Sequence, residues 1–356
     1  MDFSAFGKYF LGANSCEGFV SRFKESYSAH KGERAFIIKG GPGTGKSSLM
    51  KFIASKCAQN GKEIELFPCS SDPDSLDGIK ILPEGTVFLD GTAPHIIEPE
   101  YPGVCEQIVD PGRFWNADLL RVHRKQIIET MALCKAYHAQ AARYIFAAGR
   151  LLGDNIALQK AHMNTDKIHA FARSLSKKHL PEKREKGSIT ERFLSGITPK
   201  GIVFYSSTLK KNIKQRIIIS DKYGAVASQI MEYLLNDAVK KGYSVIAVRS
   251  AFFPSCVTDH IIIRELSLAF CSENDYMHIG TDERRVHSRR FEDKSFKTNR
   301  EKLRFNAKAA KEMLISACEA LNHAKAVHDD LEAYYIKAMD FSALSNYASE
   351  LLNKII

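Results

Sequence analysis

The sequence is poor in the features that would place it outside the cell or in a membrane. Its eight cysteines (16, 57, 69, 105, 134, 256, 271, 318) are scattered, and no CxxC pair occurs. That spacing excludes both a disulfide framework and a thiol-based zinc site. No apolar run approaches the roughly 20 residues that span a bilayer. The stretch MDFSAFGKYFLGANSC lacks the basic-then-apolar order of a signal peptide. These absences read together as a soluble, cytoplasmic protein. No guanine-reading [NT]KxD motif occurs, so nothing selects GTP over ATP.

What is present is an ordinary globular composition, 44% hydrophobic and 26% charged over 356 residues, enough for two cores. The net charge of +10 is concentrated. Residues 281–311 hold eleven Lys and Arg against five Asp and Glu, and residues 167–186 hold seven against two. Such runs suit an acidic or nucleic-acid partner, or a solvated helix face.

One stretch carries chemistry. Ala35-Phe36-Ile37-Ile38-Lys39 is a short apolar run of the kind that forms a buried parallel strand. The pattern G-x-x-x-x-G-K-[ST] follows as Gly40, Gly41, Pro42, Gly43, Thr44, Gly45, Lys46 and Ser47, with Ser48 beside it. Apolar residues then recur at helical spacing. Strand, glycine loop and helix are the context of a phosphate-binding P-loop. Its glycines let backbone N–H groups turn toward phosphate oxygens. Lys46 is placed for the β- and γ-phosphates of ATP and Ser47 for Mg2+. Asp90, ending the apolar run Thr86–Leu89, is the candidate second Mg2+ residue. No Glu follows it, which argues against fast hydrolysis. Asp72, Asp74 and Asp77 form an acidic loop after the next strand, where α/β folds place ligands. Asp72 and Asp74 are candidates to orient water or accept a proton. His95, Glu98 and Tyr101 lie between prolines just beyond Asp90.

The first stretch has a copy. At a constant offset of 181, Phe36–Ile38 falls on Ile217–Ile219, Leu49-Met50 on Ile230-Met231, and Gly61 on Gly242. FLGANSCEGFV at residue 10 matches FLSGITPKGIV at residue 193, with the offset changed by two. The chemistry does not survive: Gly40 becomes Asp221, Gly45 becomes Val226, Lys46 becomes Ala227 and Asp90 becomes Cys271. A carboxylate at the loop mouth and a missing lysine both oppose a polyanion. Each core precedes a long helical pattern, the first from about 117 to 151. HAQAA at 138 echoes HAKAV at 323. Each pattern is followed by a shorter amphipathic helix. The arms either pack on each other as a bundle or reach out to partners.

These motifs, from YFLGANSCEGFVSRF through IIKGGPGTGKSSLMKFIA to ERFLSGITPKGIVFY, resemble the bacterial tandem P-loop proteins, chiefly of Firmicutes, labelled ATPase or nucleotide kinase. The resemblance implies an α/β fold of two P-loop NTPase-like parallel-sheet cores, each with a helical arm. The divisions expected are 1–112, 113–186, 187–280 and 281–356. It also implies Mg2+ and ATP, with a P-loop in both halves; the second half departs from that pattern here, which leaves one working site, in a regulatory ATPase, a small-molecule or nucleotide kinase, or a nucleotide-gated scaffold. The partners would be ATP, a small-molecule acceptor, or a protein or nucleic acid on the basic arms. The second repeat is expected to lie near the first repeat's nucleotide, with Arg249, Arg284 or Arg285 reaching toward it.

Overall fold

A computed structural model describes residues 6–183, 185–280 and 283–355. The expected limits at 1, 281 and 356, and Arg184 and Asp282 of the basic runs, lie outside the described residues.

The first repeat runs β1 (Gly7–Lys8), a hairpin of β2 (Gly12–Ser15) and β3 (Gly18–Ser21), then β4 (Ala35–Ile38), α1 (Lys46–Gln59), β5 (Glu63–Pro68), β6 (Leu76–Leu82), β7 (Thr86–Asp90) and β8 (Glu106–Val109). Its arm is α2 (Ala117–Val122), α3 (Arg124–Ala161) and α4 (Thr165–His179). The second repeat follows the same plan. It has β9 (Ser188–Arg192), a hairpin of β10 (Ser195–Thr198) and β11 (Gly201–Phe204), then β12 (Gln215–Ser220), α5 (Ala225–Lys240), β13 (Ser244–Arg249), β14 (Thr258–Ile263), β15 (Leu268–Glu273) and β16 (Arg285–His287). Its arm is α6 (Arg300–Ala338) and α7 (Phe341–Leu352).

Duplication is visible in the topology. One six-stranded sheet has the order β1-β5-β6-β7-β4-β8 and the other β9-β13-β14-β15-β12-β16. In each, the third strand is antiparallel to both neighbours and the remaining pairs are parallel, so the sheets are mixed rather than the parallel sheets expected. The hairpin turns share a glycine with φ +97°, Gly18 and Gly201, a conformation that L side chains rarely adopt. Strand register corrects the constant offset of 181. Ile38 pairs with Asp90, and its equivalent Ile219 pairs with Ser272. One extra residue in the loop before β14 shifts everything after it, so Asp90 corresponds to Ser272, not Cys271. The same shift matches Asp77 with Asp259.

Alternation within each strand builds the layers. Phe36 and Ile38 point to α1, and Ala35 and Ile37 point the other way. In β12, Ile217 and Ile219 face α5 while Ile218 faces inward. The inward faces of both sheets share one core, with Ile37, Val87 and Leu89 against Ile218, Ile262 and Cys271. The result is helices, sheet, sheet, helices. Phe10 and Phe193, equivalent by sequence, exchange backbone hydrogen bonds (2.8 and 3.1 Å) and mark an approximate two-fold relation.

The arms cross. Helices α3 and α6, each about 57 Å long at about 1.5 Å per residue, pack antiparallel, with Cys134 beside Ala324 and Asn155 beside Leu303. The bundle expectation therefore holds. The first long helix differs from the expected 117–151, because the chain breaks at His123 and α3 continues to Ala161. The buried faces match at an offset of 176: Ile127 with Leu303, Ala141 with Ala317, Ile145 with Leu321. The HAQAA and HAKAV echo is therefore nine residues out of structural register. After each arm a side-chain cap starts the short helix, Asn164 accepting from Lys167 N and Asp340 from Ala343 N.

Each short helix covers the other repeat. Leu344, Ala348 and Leu351 of α7 share a core with Leu49, Met50 and Ile53 of α1. Ile168, Ala172 and Leu175 of α4 share one with Ile230 and Leu234 of α5. Both triplets have the i, i+4, i+7 spacing of one helix face. The linear division into core, arm, core, arm is thus interleaved in space, because each core needs the opposite arm to close its outer face. Among the described residues, no helix is long and apolar enough to cross a membrane.

Candidate functional site

The turn from β4 into α1 holds the loop Gly40–Gly45. Gly43 (φ +66°) and Gly45 (φ +81°) take left-handed conformations that let the chain curl before the helix. Thr44 Oγ1 closes the curl by donating to Gly41 O at 2.8 Å. Lys46 Nζ donates to the carbonyls of Gly40 (3.1 Å) and Gly41 (2.8 Å), and lies 3.6 Å from Asp90 Oδ2. Ser47 Oγ accepts from Leu76 N at 3.0 Å, which ties the first turn of α1 to the start of β6. Ser48 is exposed. Lys46 thus lies beside Asp90, while the Ser47 hydroxyl is engaged by the Leu76 amide.

The outer side of the loop is not open. Glu332 Oε1 of α6 accepts from Gly43 N at 3.1 Å. A side chain on Gly41 would strike Tyr335, one on Gly43 the backbone of Glu332, and one on Gly45 Leu344. The second repeat therefore lies against this loop, through its arm rather than its core. The cores meet through the inner sheet faces, because those faces are apolar and the loops at the strand ends are not.

The acidic loop divides by burial. Asp72 accepts from Asp74 N (3.2 Å) and Ser75 Oγ (2.9 Å), and lies 3.8 Å from Lys325 of α6. Asp74 is exposed and pairs with Lys200 at 2.5 Å, and that lysine's hydrogen bond holds its carboxyl below the usual range. Asp72 is engaged by turn donors and a lysine and Asp74 by a lysine, which suits holding a loop rather than accepting a proton. Asp77 is 5% exposed. Burial pushes its carboxyl up to about 6, and the neighbouring Asp90 carboxylate adds to this.

Asp77, Asp90 and His95 bring ligand atoms within 4.8 Å of one another, all buried. His95 Nε2 is 4.0 Å from Asp90 Oδ1, and its ring stacks on Phe23 with centroids 4.1 Å apart. Asp90 Oδ1 is held by Thr92 N (3.0 Å) and Thr92 Oγ1 (2.5 Å). Glu98 pairs instead with Lys39 at 2.6 Å and Tyr101 is exposed, so neither joins this cluster.

The second loop is filled by its own side chain. Asp221, 0% exposed, accepts at Oδ2 from Val226 N and Ala227 N, both 2.9 Å. Gln159 of α3 donates to Asp221 Oδ1 (2.7 Å) and accepts from Ala225 N (2.9 Å). A carboxylate thus occupies the ring of N–H donors that the fold creates at the start of α5.

The arginines singled out by sequence do not reach the first loop. Arg249 is bound to Glu191 and Thr258. Arg285 is bound to Glu273, and Arg284 is exposed. Arg249 and Arg285 are thus paired within their own repeat. The cations that the second repeat brings to the acidic loop are Lys200, on the β10–β11 turn, and Lys325. One sequence signal pointed to the second: AKAVHDDLEAYY in α6 carries a cluster of charge that its structural counterpart in α3, GRLLGDNIALQ, largely lacks. Comparison of the chain with protein-family models, curated proteins and solved structures returns no match.

Proposed function

We propose that this chain is a Mg·ATP-dependent hydrolase of the P-loop kind, with one working nucleotide site and one self-filled copy, acting as a switch through its crossed arms. One observation carries the reading. A glycine loop with an adjacent lysine and aspartate has its Gly43 N–H engaged by a carboxylate from the opposite arm. The copy has a carboxylate of its own in the equivalent nest.

In this reading the loop N–H groups and the α1 N-terminus receive the β- and γ-phosphates. Lys46 turns from the Gly40 and Gly41 carbonyls to the phosphate oxygens. Ser47 and Asp90 offer the hard oxygen donors that Mg2+ takes alongside water, and the ion would neutralise phosphate charge. Glu332 is repelled by the incoming phosphates, so nucleotide binding loosens α6 from the loop. That displacement couples the first site to α7 and to the second repeat. Lys200 and Lys325 supply positive charge from the second repeat beside the acidic loop. The basic surface that includes Arg284, Arg289 and Arg304 is the place for an acidic or nucleic-acid partner.

Phosphate release by the full chain with Mg·ATP tests the reading. Lys46→Ala should lower it by at least ~100-fold, since the lysine is the charge aimed at the β- and γ-phosphates. ATP-dependent labelling of a small acceptor without phosphate release would make the protein a kinase. No nucleotide binding at all would end the proposal.

A further inference from the structure

We propose that Asp77, Asp90 and His95 bind a first-row divalent transition-metal ion, beside but separate from the Mg2+ expected with nucleotide.

The geometry comes first. The three side chains arrive from different elements: Asp77 from the start of β6, Asp90 from the end of β7, His95 from the turn beyond it. All three are at least nine-tenths buried. Their ligand atoms fall within 4.8 Å of one another. The 4.0 Å between His95 Nε2 and Asp90 Oδ1 is too long for a hydrogen bond. Two ligands each about 2.0–2.2 Å from one ion stand about 3–3.6 Å apart at cis or tetrahedral angles, so an ion would draw this pair together by roughly half an ångström.

The second observation is the histidine itself. His95 is 7% exposed, and neither of its ring nitrogens has a hydrogen-bond partner among the described residues. A buried polar group left unpaired is costly, and buried native groups are nearly always satisfied. A cation on Nε2 removes one of the two deficits. The ring is already oriented for it, because its stack on Phe23 fixes the plane.

The anions add to this. Two buried carboxylates so close together repel unless a cation or a proton lies between them. Lys46 lies 3.6 Å from Asp90 Oδ2. Asp90 Oδ1, on the other hand, is the atom nearest His95. Asp77 is steadied by a hydrogen bond with Cys69, and such outer partners orient ligands for a metal.

The copy provides a contrast within the same chain. Its equivalents are Asp259 and Ser272 by strand register and Met277 by position, two residues before Ile279, which shares the inner core with Ile97, two residues after His95. One carboxylate remains, while the second carboxylate and the imidazole are gone. This is the repeat in which the lysine is also gone and Asp221 fills the loop. The two losses occurring together indicate that the trio works with the phosphate-binding loop. That coupling is the only part that rests on the nucleotide reading.

One imidazole with two carboxylates selects the ion class. Imidazole favours Zn2+, Fe2+, Co2+ and their neighbours over Mg2+ and Ca2+, which prefer all-oxygen sites. Manganese accepts the same mixed set.

The test uses the full chain, stripped with chelator and free of nucleotide, titrated with Co2+ and followed by its visible absorption. One equivalent should bind with the bands of a low-symmetry site. Zn2+ should displace it, and a large excess of Mg2+ should not. His95→Gln and Asp77→Asn should each weaken binding by at least ~10-fold, the scale typical of altered metal coordination. X-ray absorption of the Co2+-loaded wild-type chain should show one imidazole among oxygen ligands, a reading that holds even if a variant fails to fold. Bands that persist unchanged in folded His95→Gln, a spectrum without nitrogen, ready displacement by Mg2+, or no Co2+ binding would each overturn the proposal. Because nucleotide is absent, failure here leaves the nucleotide reading standing. A Lys46→Ala chain that loses ATP but keeps the Co2+ bands would separate the two sites in the other direction.

Discussion

Glu332 accepts a hydrogen bond from Gly43 N across 289 residues of chain, at 3.1 Å. The arm of one repeat thereby engages the glycine loop of the other with the one functional group, a carboxylate, that resembles a phosphate oxygen. If the loop takes nucleotide, Glu332 competes with it. Glu332→Gln removes the negative charge and keeps the size of the side chain. ATP affinity measured by calorimetry should rise by about 3- to 10-fold, the scale of one screened charge contact. An unchanged or weaker affinity would mean that Glu332 stays in place when nucleotide binds.

The copy's loop gives a prediction of opposite sign. Asp221 is the acceptor for Val226 N and Ala227 N, all of them buried. Asp221→Ala leaves those donors and Gln159 without their acceptor. Urea unfolding should show a loss of about 2–4 kcal/mol, the cost of stranding buried polar groups. The variant should still bind one ATP per chain, because position 227 has no lysine. A stoichiometry of two would show that the carboxylate alone closes that site.

Asp259 makes stability depend on pH. Burial pushes its carboxyl up to about 7, partly offset by the Ser250 hydroxyl. Its folded value lies above its unfolded value, so the folded state holds the proton longer. Stability from this group is full below about pH 4, falls as pH rises, and levels off above about pH 7. Asp259→Asn removes the ionisation and should flatten the decline. Melting curves should place the variant above the wild type at pH 8 by on the order of 3 kcal/mol, with a smaller difference or a reversal at pH 4. A parallel pair of profiles would show that Asp259 is not the group responsible.

The crossed arms predict how the chain can be divided. Residues 1–190 contain α4 but lack α7, so Leu49, Met50 and Ile53 lose the Leu344, Ala348 and Leu351 cover. They also lose the opposing sheet. Each large apolar side chain left uncovered forfeits about 1.5–3 kcal/mol. Expressed alone, 1–190 should fail to give a cooperative melt. Co-expressed with 191–356, the two halves should copurify as one particle on size exclusion. A stable, monodisperse first half on its own would refute the crossed arrangement.

Much of the local structure is legible in the residues. The apolar run Ala35–Ile38, the glycines after it and the helical spacing beyond specify strand, turn and helix, because each depends on neighbours a few residues away. The duplication is legible for the same reason: matching periods give matching elements, and the hairpins at residues 10 and 193 align without help from the structure. Asp90 beside Lys46 follows from two adjacent parallel strands ending together.

What only the tertiary structure decides lies far apart in sequence. The one-residue insertion before β14 is invisible to a constant offset, and hydrogen-bonded register exposes it. Nothing local distinguishes an arm that returns to its own core from one that crosses, since the apolar faces of α4 and α7 fit the same kind of partner. Arginines near strand ends look equivalent until packing turns them toward Glu191 and Glu273. Glu332 reaches the first loop, and Lys200 and Lys325 the acidic loop, only because the sheets meet face to face and α6 runs antiparallel to α3. The side chains name the available chemistry, and the long-range burial of apolar faces determines which of them meet.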